Sequence, residues 1–192
     1  MSEIGKLFVI VGPSGVGKGT LVKHLMNRVP YLFLSISATT RSPRKDEKDG
    51  INYYFLKTNE FEELIKAGDF IEWATIYGNY YGTLREKVEQ KLSLPTDVIL
   101  EIDVQGARQI KENADKAVFI FIKPPSDEEL KERLRERGTE TADEIEKRLS
   151  IAIEELKTES EFDHVIINDN LNEAIDRLVD IIIKYRESNT IN

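Results

Sequence analysis

The chain has 192 residues, of which 40% are hydrophobic, and carries a formal net charge of −8. This length and composition suit one domain with a substantial core. The acidic balance disfavours broad binding to nucleic acid or to anionic membranes, which usually requires a basic face, so an anionic ligand must be met by local clusters of arginine. The absence of cysteine excludes disulfides and thiolate chemistry.

No apolar segment approaches the roughly 18 residues of a membrane span, and the N-terminal residues lack the profile of a signal peptide. We therefore expect a cytoplasmic protein that binds small molecules rather than nucleic acid or a membrane. The sequence does not indicate an oligomeric state.

The first predicted elements are a strand, a glycine loop and a helix. Leu7–Val11 is a short apolar run typical of a buried parallel strand. After it, residues 12–18 have the G-x-x-x-x-G-K spacing of a phosphate loop, and apolar residues then recur at helical spacing. Backbone N–H groups, the helix N-terminus and Lys18 together predict a nucleoside triphosphate site, whereas the alternative is a glycine-rich turn without a ligand. The predicted ATP-binding residues of this stretch are Gly12, Pro13, Ser14, Gly15, Val16, Gly17, Lys18, Gly19 and Thr20.

One position departs from the phosphate-loop pattern, which has Ser or Thr directly after the lysine. Gly19 stands there in this chain, and the hydroxyl comes one residue later, at Thr20. Two arrangements therefore stay open: Thr20 ligates a magnesium ion directly, or the ion is held through water.

The later elements are predicted from apolar periodicity and from turn residues. Strands are predicted at 32–37, 53–56, 70–75, 98–102, 117–122 and 165–167, and helices at 19–27, 106–113 and 171–187. Four further helices are predicted to begin with capping boxes, formed by Asn59 with Glu62, Thr83 with Glu86, Ser126 with Glu129 and Thr141 with Glu144. The polar stretch 38–50 is predicted to be a long loop and 77–82 a turn.

Five of these strands alternate with helices, which predicts an α/β fold with a five-stranded parallel sheet and helices on both faces. Two stretches fit this scheme poorly, and we expect them to be insertions over the carboxyl edge of the sheet, where ligands bind. The predicted division is a nucleotide-binding core at 1–36, 95–125 and 158–192, a small α+β lobe at 37–94 and a helical lid at 126–157.

The loop after the second strand carries Arg41 and Arg44, three residues apart. Because guanidinium groups bind phosphate in a bidentate manner, this pair suits a dianionic phosphate monoester. Tyr53 and Tyr81 could each donate a hydroxyl to the same phosphate. Taken singly, such a loop is more often a solvated turn, and such tyrosines are more often core or edge residues.

Glu72 lies inside an apolar strand, in the sequence I-E-W. A carboxylate there either faces solvent or is buried with hydrogen-bond donors. Guanine would supply two adjacent donors, an amino group and a ring N–H, whereas adenine would not. The position therefore suggests a guanine-binding site.

Acidic and basic residues mark two further candidate positions. Glu101 and Asp103 end a buried strand, where carboxylates commonly orient Mg²⁺, although Asp103 is equally suited to cap a helix. The charged stretch 126–157 carries arginines that either close over a triphosphate or form a salt-bridged solvent face. These arginines are Arg133, Arg135, Arg137 and Arg148.

Together these segments resemble the guanylate kinase family, from Leu7 to about Lys184. The motifs that carry the resemblance occur in the family's order and spacing: G-P-S-G-V-G-K, S-A-T-T-R-S-P-R, F-I-E-W-A, G-N-Y-Y-G, E-I-D-V-Q-G, R-G-T-E-T and V-I-I-N-D. The resemblance implies transfer of the γ-phosphoryl group of Mg-ATP to GMP, and to dGMP, giving ADP and the diphosphate.

The resemblance also implies roles for individual residues. Guanine would be read by Ser37, Glu72 and Thr83, and the GMP phosphate held by Arg41, Arg44, Tyr53 and Tyr81. Glu101 and Asp103 match the family's acidic pair near GMP and the metal, with Thr20 and Asp103 as metal ligands, directly or through water. Asn168 matches a contact to the ATP adenine. The implied catalytic residues are Lys18, Arg41, Arg133, Arg137 and Arg148.

The chain departs from the family's pattern at two other places. Asp46-Glu47 replaces the usual Gly-Glu, and we expect the added carboxylate of Asp46 to face solvent; the acidic pair is Glu-x-Asp where Asp-x-Asp is also common. Two alternatives are weighed against a guanylate kinase. One is a different nucleoside monophosphate kinase, since G-K-G-T also occurs in adenylate kinases. The other is a non-catalytic guanylate-kinase-like module that binds proteins, although such modules typically have a degraded phosphate loop.

Overall fold

The computed structural model describes residues 5–113, 116–136 and 142–187. In chain order the elements are β1 (Leu7–Val11), α1 (Lys18–Arg28), β2 (Leu32–Leu34), β3 (Ala38–Thr39), β4 (Tyr54–Phe55), α2 (Thr58–Ala67), β5 (Phe70–Ile76), β6 (Asn79–Leu84), α3 (Arg85–Leu92), β7 (Asp97–Ile102), α4 (Val104–Asn113), β8 (Val118–Lys123), α5 (Asp127–Glu136), α6 (Ala142–Leu156), β9 (His164–Ile167) and α7 (Leu171–Glu187). None of the described helices combines the length and the apolar character that a membrane span requires.

The larger sheet has five parallel strands in the order β2-β7-β1-β8-β9. Its strand β1 is buried along its whole length, as are the first four residues of β7. Such strands must be covered on both faces, and helices flank the sheet accordingly. The predicted α/β fold with a five-stranded parallel sheet is therefore confirmed.

The smaller sheet has four strands in the order β4-β3-β6-β5, with parallel pairing only between β3 and β4. Its hydrophobic cluster is built on Phe61 of α2, whose ring stacks on Phe70 at 4.3 Å and on Tyr80 at 5.2 Å between centroids. This part of the chain thus has its own core.

The structure corrects several predicted boundaries in the smaller sheet. Residues 38–39 of the predicted loop form β3, residues 79–82 of the predicted turn belong to β6, and β2 ends at Leu34 rather than at residue 37. Threonine side chains add to the pairing of β3 with β6: Thr39 Oγ1 donates to the Tyr80 carbonyl at 2.9 Å, and the Tyr80 N–H donates to Thr40 Oγ1 at 2.9 Å. Hydrophobic periodicity does not reveal strands that are held in this way.

Two of the predicted capping boxes are wrong. Helix α2 begins at Thr58, where Glu60, rather than Glu62, accepts a hydrogen bond from the Lys57 N–H at 2.9 Å. Helix α3 begins at Arg85, because Thr83 belongs to β6. Ser126 does accept a hydrogen bond from the Glu129 N–H, at 3.2 Å. The predicted cap at Thr141 lies outside the described residues.

Contacts divide the chain into two compact units. The described residues of 1–7, 31–100 and 105–117 form the first unit, which contains the smaller sheet; those of 8–30, 101–104 and 118–192 form the second, which contains the glycine loop. The three-part division into core, lobe and lid stays a prediction.

Candidate nucleotide-binding sites

The glycine loop of the second unit has a backbone that only glycine adopts readily. Gly12 has φ +147° and Gly17 has φ +89°. A Cβ at Gly12 would lie 2.3 Å from the carbonyl oxygen of Ile122 in β8, and one at Gly15 would lie 2.9 Å from a methyl carbon of Leu134 in α5. The glycines therefore let the loop approach β8 and α5 closely while it turns into α1.

Lys18, the first residue of α1, folds back over this loop. Its ammonium donates to the carbonyl oxygens of Gly12 and Pro13, the second at 3.1 Å. The first turn of α1 carries no acidic side chain, which leaves the helix N-terminus favourable for an anion. Gly19 and Thr20 are exposed beside it. The loop, the helix terminus and the lysine can together receive a polyphosphate.

Asn168, which follows β9, is part of the support of the glycine loop. Its side chain is buried, and Nδ2 donates to the Val16 carbonyl at 2.8 Å. The guanidinium of Arg133 in α5 donates to the Asn168 carbonyl at 3.0 Å and to Glu129 at 2.9 Å. The structure thus ties these two predicted site residues to the phosphate loop, and the adenine contact of Asn168 stays a prediction. Of the other lid arginines, Arg148 lies half-buried in α6 and Arg137 is outside the described residues.

Carboxylates lie beside the loop in the same unit. A Cβ at Gly19 would be 3.5 Å from a carboxylate oxygen of Glu101, so Glu101 occupies the space beside that residue. In α6, burial and then the negative charge of Asp103 raise the pKa of Glu155 to about 7, while the positive charge of Lys18 opposes the shift. No pattern in the sequence marks Glu155, which is one of many glutamates in a charged stretch.

These residues fit a magnesium ion that is bound mainly through a nucleotide. Among the described residues there is no cluster of three or more His, Asp or Glu side chains that could hold a metal. Mg²⁺ usually keeps several waters and takes one or two carboxylates together with substrate phosphates. Asp103 adds negative charge in this part of the site, which favours a cation: after burial, it is the second cause of the raised pKa of Glu155.

We expect Glu155→Gln to stabilise the ligand-free protein at pH 8 but hardly at pH 5. The pKa of Glu155 is raised by folding, so the folded state holds the proton more tightly than the unfolded state, and stability falls as pH rises from about 4.5 to about 7. Glutamine removes this loss. Thermal unfolding should show a gain in Tm of about 5 °C at pH 8.

Glu154→Gln is the matched control for this prediction, because Glu154 is the exposed neighbour in α6 and pairs with Lys157 at the surface. Its Tm should follow that of the wild type at both pH values. A gain of equal size at pH 5 and pH 8 in the Glu155 variant would contradict the assignment.

In the first unit, Arg41 is held in place by several groups. Its guanidinium makes two hydrogen bonds to Glu47, both at 2.9 Å, and lies 5.4 Å from the centroid of the Tyr53 ring. The rings of Tyr53 and Tyr81 meet edge to face at 6.0 Å, and a hydrogen bond links Arg41 to Tyr81. The structure therefore brings together three of the four residues predicted to bind the GMP phosphate.

The ion pair between Arg41 and Glu47 shifts the pKa values of both partners. The hydrogen bond with Arg41 lowers the pKa of Glu47, and the same bond raises the pKa of Arg41. Arg44 is exposed, and its backbone N–H donates to Glu47 at 2.8 Å. Sequence reasoning gave Glu47 no role, although its place in the Gly-Glu position of the family pattern was a signal. Asp46 is exposed, as expected.

Glu72 is buried, with 4% of its surface exposed. Thr83 of the neighbouring strand is 1% exposed and donates its hydroxyl to Glu72 Oε1 at 2.6 Å. Of the two arrangements that the sequence left open, the carboxylate buried with a donor is the one observed. Ser37 is half-buried just before β3, where its carbonyl accepts the Tyr54 N–H at 2.9 Å. The predicted guanine-reading residues Glu72 and Thr83 are thus in direct contact.

Comparison with known proteins gives a consistent result. The sequence profile described as guanylate kinase matches residues 4–185. The chain is 53% identical to a guanylate kinase of Synechocystis sp. over 178 residues, which are 93% of each chain, and 50% identical to one of Caldanaerobacter subterraneus over 179 residues, which are 93% of this chain and 87% of the relative. It is also similar to the crystal structure of guanylate kinase from Anaplasma phagocytophilum, with a TM-score of 0.80, 34% identity and coverage of 96% of this chain and 87% of that one.

Proposed function

The chain belongs to the guanylate kinase family and is an ATP:GMP phosphotransferase, and we propose that the two candidate sites described above bind its two substrates. The observation that carries the proposed assignment is the buried Glu72 carboxylate. A buried carboxylate can accept several hydrogen bonds, and the one from Thr83 shows that this carboxylate accepts from a neighbouring donor. The adjacent amino group and ring N–H of guanine are donors of the kind that such a carboxylate binds.

The GMP phosphate is held, in this proposal, by Arg41, Arg44, Tyr53 and Tyr81, with Ser37 completing the contacts to the base. Arg41 is already oriented by Glu47 and by the Tyr53 ring, so little side-chain freedom is lost when the phosphate binds. A dianionic phosphate also offsets the positive charge of the two arginines. The fork of a guanidinium then fixes the phosphate in both position and orientation.

ATP binds, in the same proposal, along residues 12–20, with Asn168 at the adenine. Lys18 and the loop N–H groups hold the outer phosphates. The negative charge of the phosphoryl group that is transferred is neutralised by the guanidinium groups of Arg133, Arg137 and Arg148. Arg133 can act while it supports the loop, because its guanidinium bonds to Asn168 and Glu129 leave further N–H groups for a phosphate.

The reaction needs alignment and charge neutralisation rather than a general base, because the acceptor oxygen of GMP is already anionic near neutral pH. Mg²⁺, when bound, would neutralise charge on the phosphates of ATP. Thr20 and Asp103 would hold the ion, directly or through water. We further propose that the protein acts in the cytoplasm on GMP and dGMP, and does not bind nucleic acid.

The experiment that tests this function is a coupled assay of ADP formation with Mg-ATP, in which GMP, dGMP, AMP, CMP, UMP and dTMP are offered separately. Strong turnover with the two guanine nucleotides alone supports both the transfer and the reading of the base. A preference for another monophosphate would keep the phosphate loop and overturn the roles of Ser37, Glu72 and Thr83. Nucleotide binding without any turnover would favour a non-catalytic module.

We expect Glu47→Gln to raise KM for GMP by about tenfold, because the loss of a charged hydrogen-bonded partner leaves Arg41 less ordered. KM for ATP should change little. Steady-state kinetics with each substrate varied in turn measures both constants. Asp46→Asn is the matched control, since Asp46 is the exposed neighbour of Glu47. An equal rise in both KM values would indicate a general defect and contradict this role.

A further inference from the structure

Helix α4 carries two residues that contact the strand of Glu72 and that have no role in the sites described so far. They are Gly106 and Gln109, which lie one turn apart in the helix. Gly106 ends the motif E-I-D-V-Q-G, of which only the acidic pair was assigned a function. Both residues belong to the same compact unit as Glu72.

Gly106 leaves space for the Glu72 carboxylate. A Cβ at this position would lie 2.3 Å from Glu72 Oε2, which is closer than real contacts allow. Gly106 lies within a helix and its φ is not positive, so its backbone does not require glycine. Glycine also favours a helix less than alanine does. The close approach of the carboxylate is therefore the physical reason for glycine at this position.

Gln109 fixes the backbone of β5 next to Glu72. Its Oε1 accepts the Trp73 N–H at 3.2 Å, and its Nε2 donates to the Trp73 carbonyl at 2.6 Å. Strand β5 is at the end of the strand order of its sheet, so the side-chain amide satisfies groups that a further strand would otherwise pair. The register of β5 shifts between Phe70 and Glu72, an irregularity of the kind that re-aims side chains.

Three residues thus restrict the position of the Glu72 carboxylate. Thr83 holds Oε1, Gly106 lies against Oε2, and Gln109 anchors the adjoining peptide. We propose that Gly106 and Gln109 are positioning residues that set where the Glu72 carboxylate stands, and thereby set the preference for GMP over monophosphates whose base lacks the amino group beside the ring N–H. This inference rests on the proposed reading of guanine by Glu72.

The test compares kcat/KM for GMP with that for inosine monophosphate, which keeps the ring N–H and lacks the amino group. The wild type should prefer GMP strongly, since a site built to hydrogen-bond a group rejects analogues that lack it. Gly106→Ala should lower the ratio of the two constants by about tenfold or more, mainly through KM for GMP. KM for ATP should stay within about twofold. Tm should fall only slightly, because the helix propensity of alanine partly offsets the cost of displacing the buried Glu72 side chain.

Gln109→Met, which keeps the size of the side chain and removes both hydrogen bonds, should lower the same ratio. Glu112→Ala, at an exposed position of α4, is the matched control and should leave the ratio unchanged. If Gly106 acts through Glu72, then Gly106→Ala should have no further effect on the ratio in a Glu72→Ala background.

The possible results separate this inference from the function on which it rests. A wild type that does not distinguish GMP from inosine monophosphate would overturn the reading of guanine by Glu72, and this inference with it. A wild type that prefers GMP, together with an unchanged ratio in both the Gly106 and Gln109 variants, would overturn this inference alone. A lower Tm with an unchanged ratio in these variants would show that the two residues have a purely structural role. That result would likewise overturn this inference.

Discussion

Replacing Lys18 with alanine is expected to lower kcat for GMP phosphorylation by about three orders of magnitude. The ammonium lies over the glycine loop, bonded to the Gly12 and Pro13 carbonyls, where it would meet the outer phosphates of ATP. Removal of one preorganised group that stabilises transition-state charge costs roughly 100- to 1,000-fold in kcat, and a full positive charge contributes at the upper end. The coupled assay at saturating ATP and GMP measures this loss.

Lys23→Ala is the control for this experiment. Lys23 is an exposed lysine of the same helix, so its loss removes an equal charge away from the loop, and kcat should remain close to that of the wild type. Thermal unfolding of both variants checks that α1 is intact. Near-normal turnover in the Lys18 variant would contradict the assignment of residues 12–20 as a phosphate loop.

The parts of the molecule that could be predicted from the sequence are those fixed by local pattern. Strand β1 is buried at all five positions, in agreement with its continuous apolar run. Helix α7 begins and ends at the predicted residues 171 and 187. The glycine loop was predictable because positive φ and close packing restrict Gly12 and Gly17 to glycine. In each case the cause lies within a few residues of the signal.

What could not be predicted depends on partners that are distant in the chain. Short strand β3 pairs with β6, and the side chains of Thr39 and Thr40 bond to Tyr80, about 40 residues away. A polar sequence gives no sign of that partner. The support of the loop by Asn168 spans 152 residues, from Asn168 to the Val16 carbonyl. A side chain that orients another side chain, as Glu47 orients Arg41, can be identified only when the positions of both are known.

These supporting contacts share a physical feature, which is that each restricts a charged or polar group before any ligand is bound. Glu47 restricts Arg41, and Thr83 restricts Glu72. A group that is already ordered loses less conformational freedom on binding, so more of its interaction energy contributes to affinity and alignment. The same feature makes the specificity of the site sensitive to residues that do not touch the substrate.

Replacing Glu72 with glutamine is expected to lower kcat/KM for GMP by about 100- to 1,000-fold while leaving KM for ATP nearly unchanged. Glutamine has the size of glutamate but presents an amino group in place of one carboxylate oxygen. Its amide would accept one hydrogen bond from guanine and oppose the other with a donor, and an unpaired buried polar group costs about 1–3 kcal/mol, more when charge is involved. The assay with GMP, AMP and inosine monophosphate should show that the preference for GMP largely disappears.

The same substitution separates recognition from folding. The Glu72 side chain is buried, with Thr83 donating to it, and glutamine can still accept that bond through its carbonyl oxygen. Glutamine also keeps the size of the side chain, and burial of a charge is costly in itself, so Tm should change little. Glu86→Gln, at an exposed position of α3, controls for the change of charge. An unchanged Tm would show that a lost preference for GMP comes from recognition and not from unfolding. A Glu72→Gln variant that keeps its preference for GMP would contradict the reading of guanine by this carboxylate.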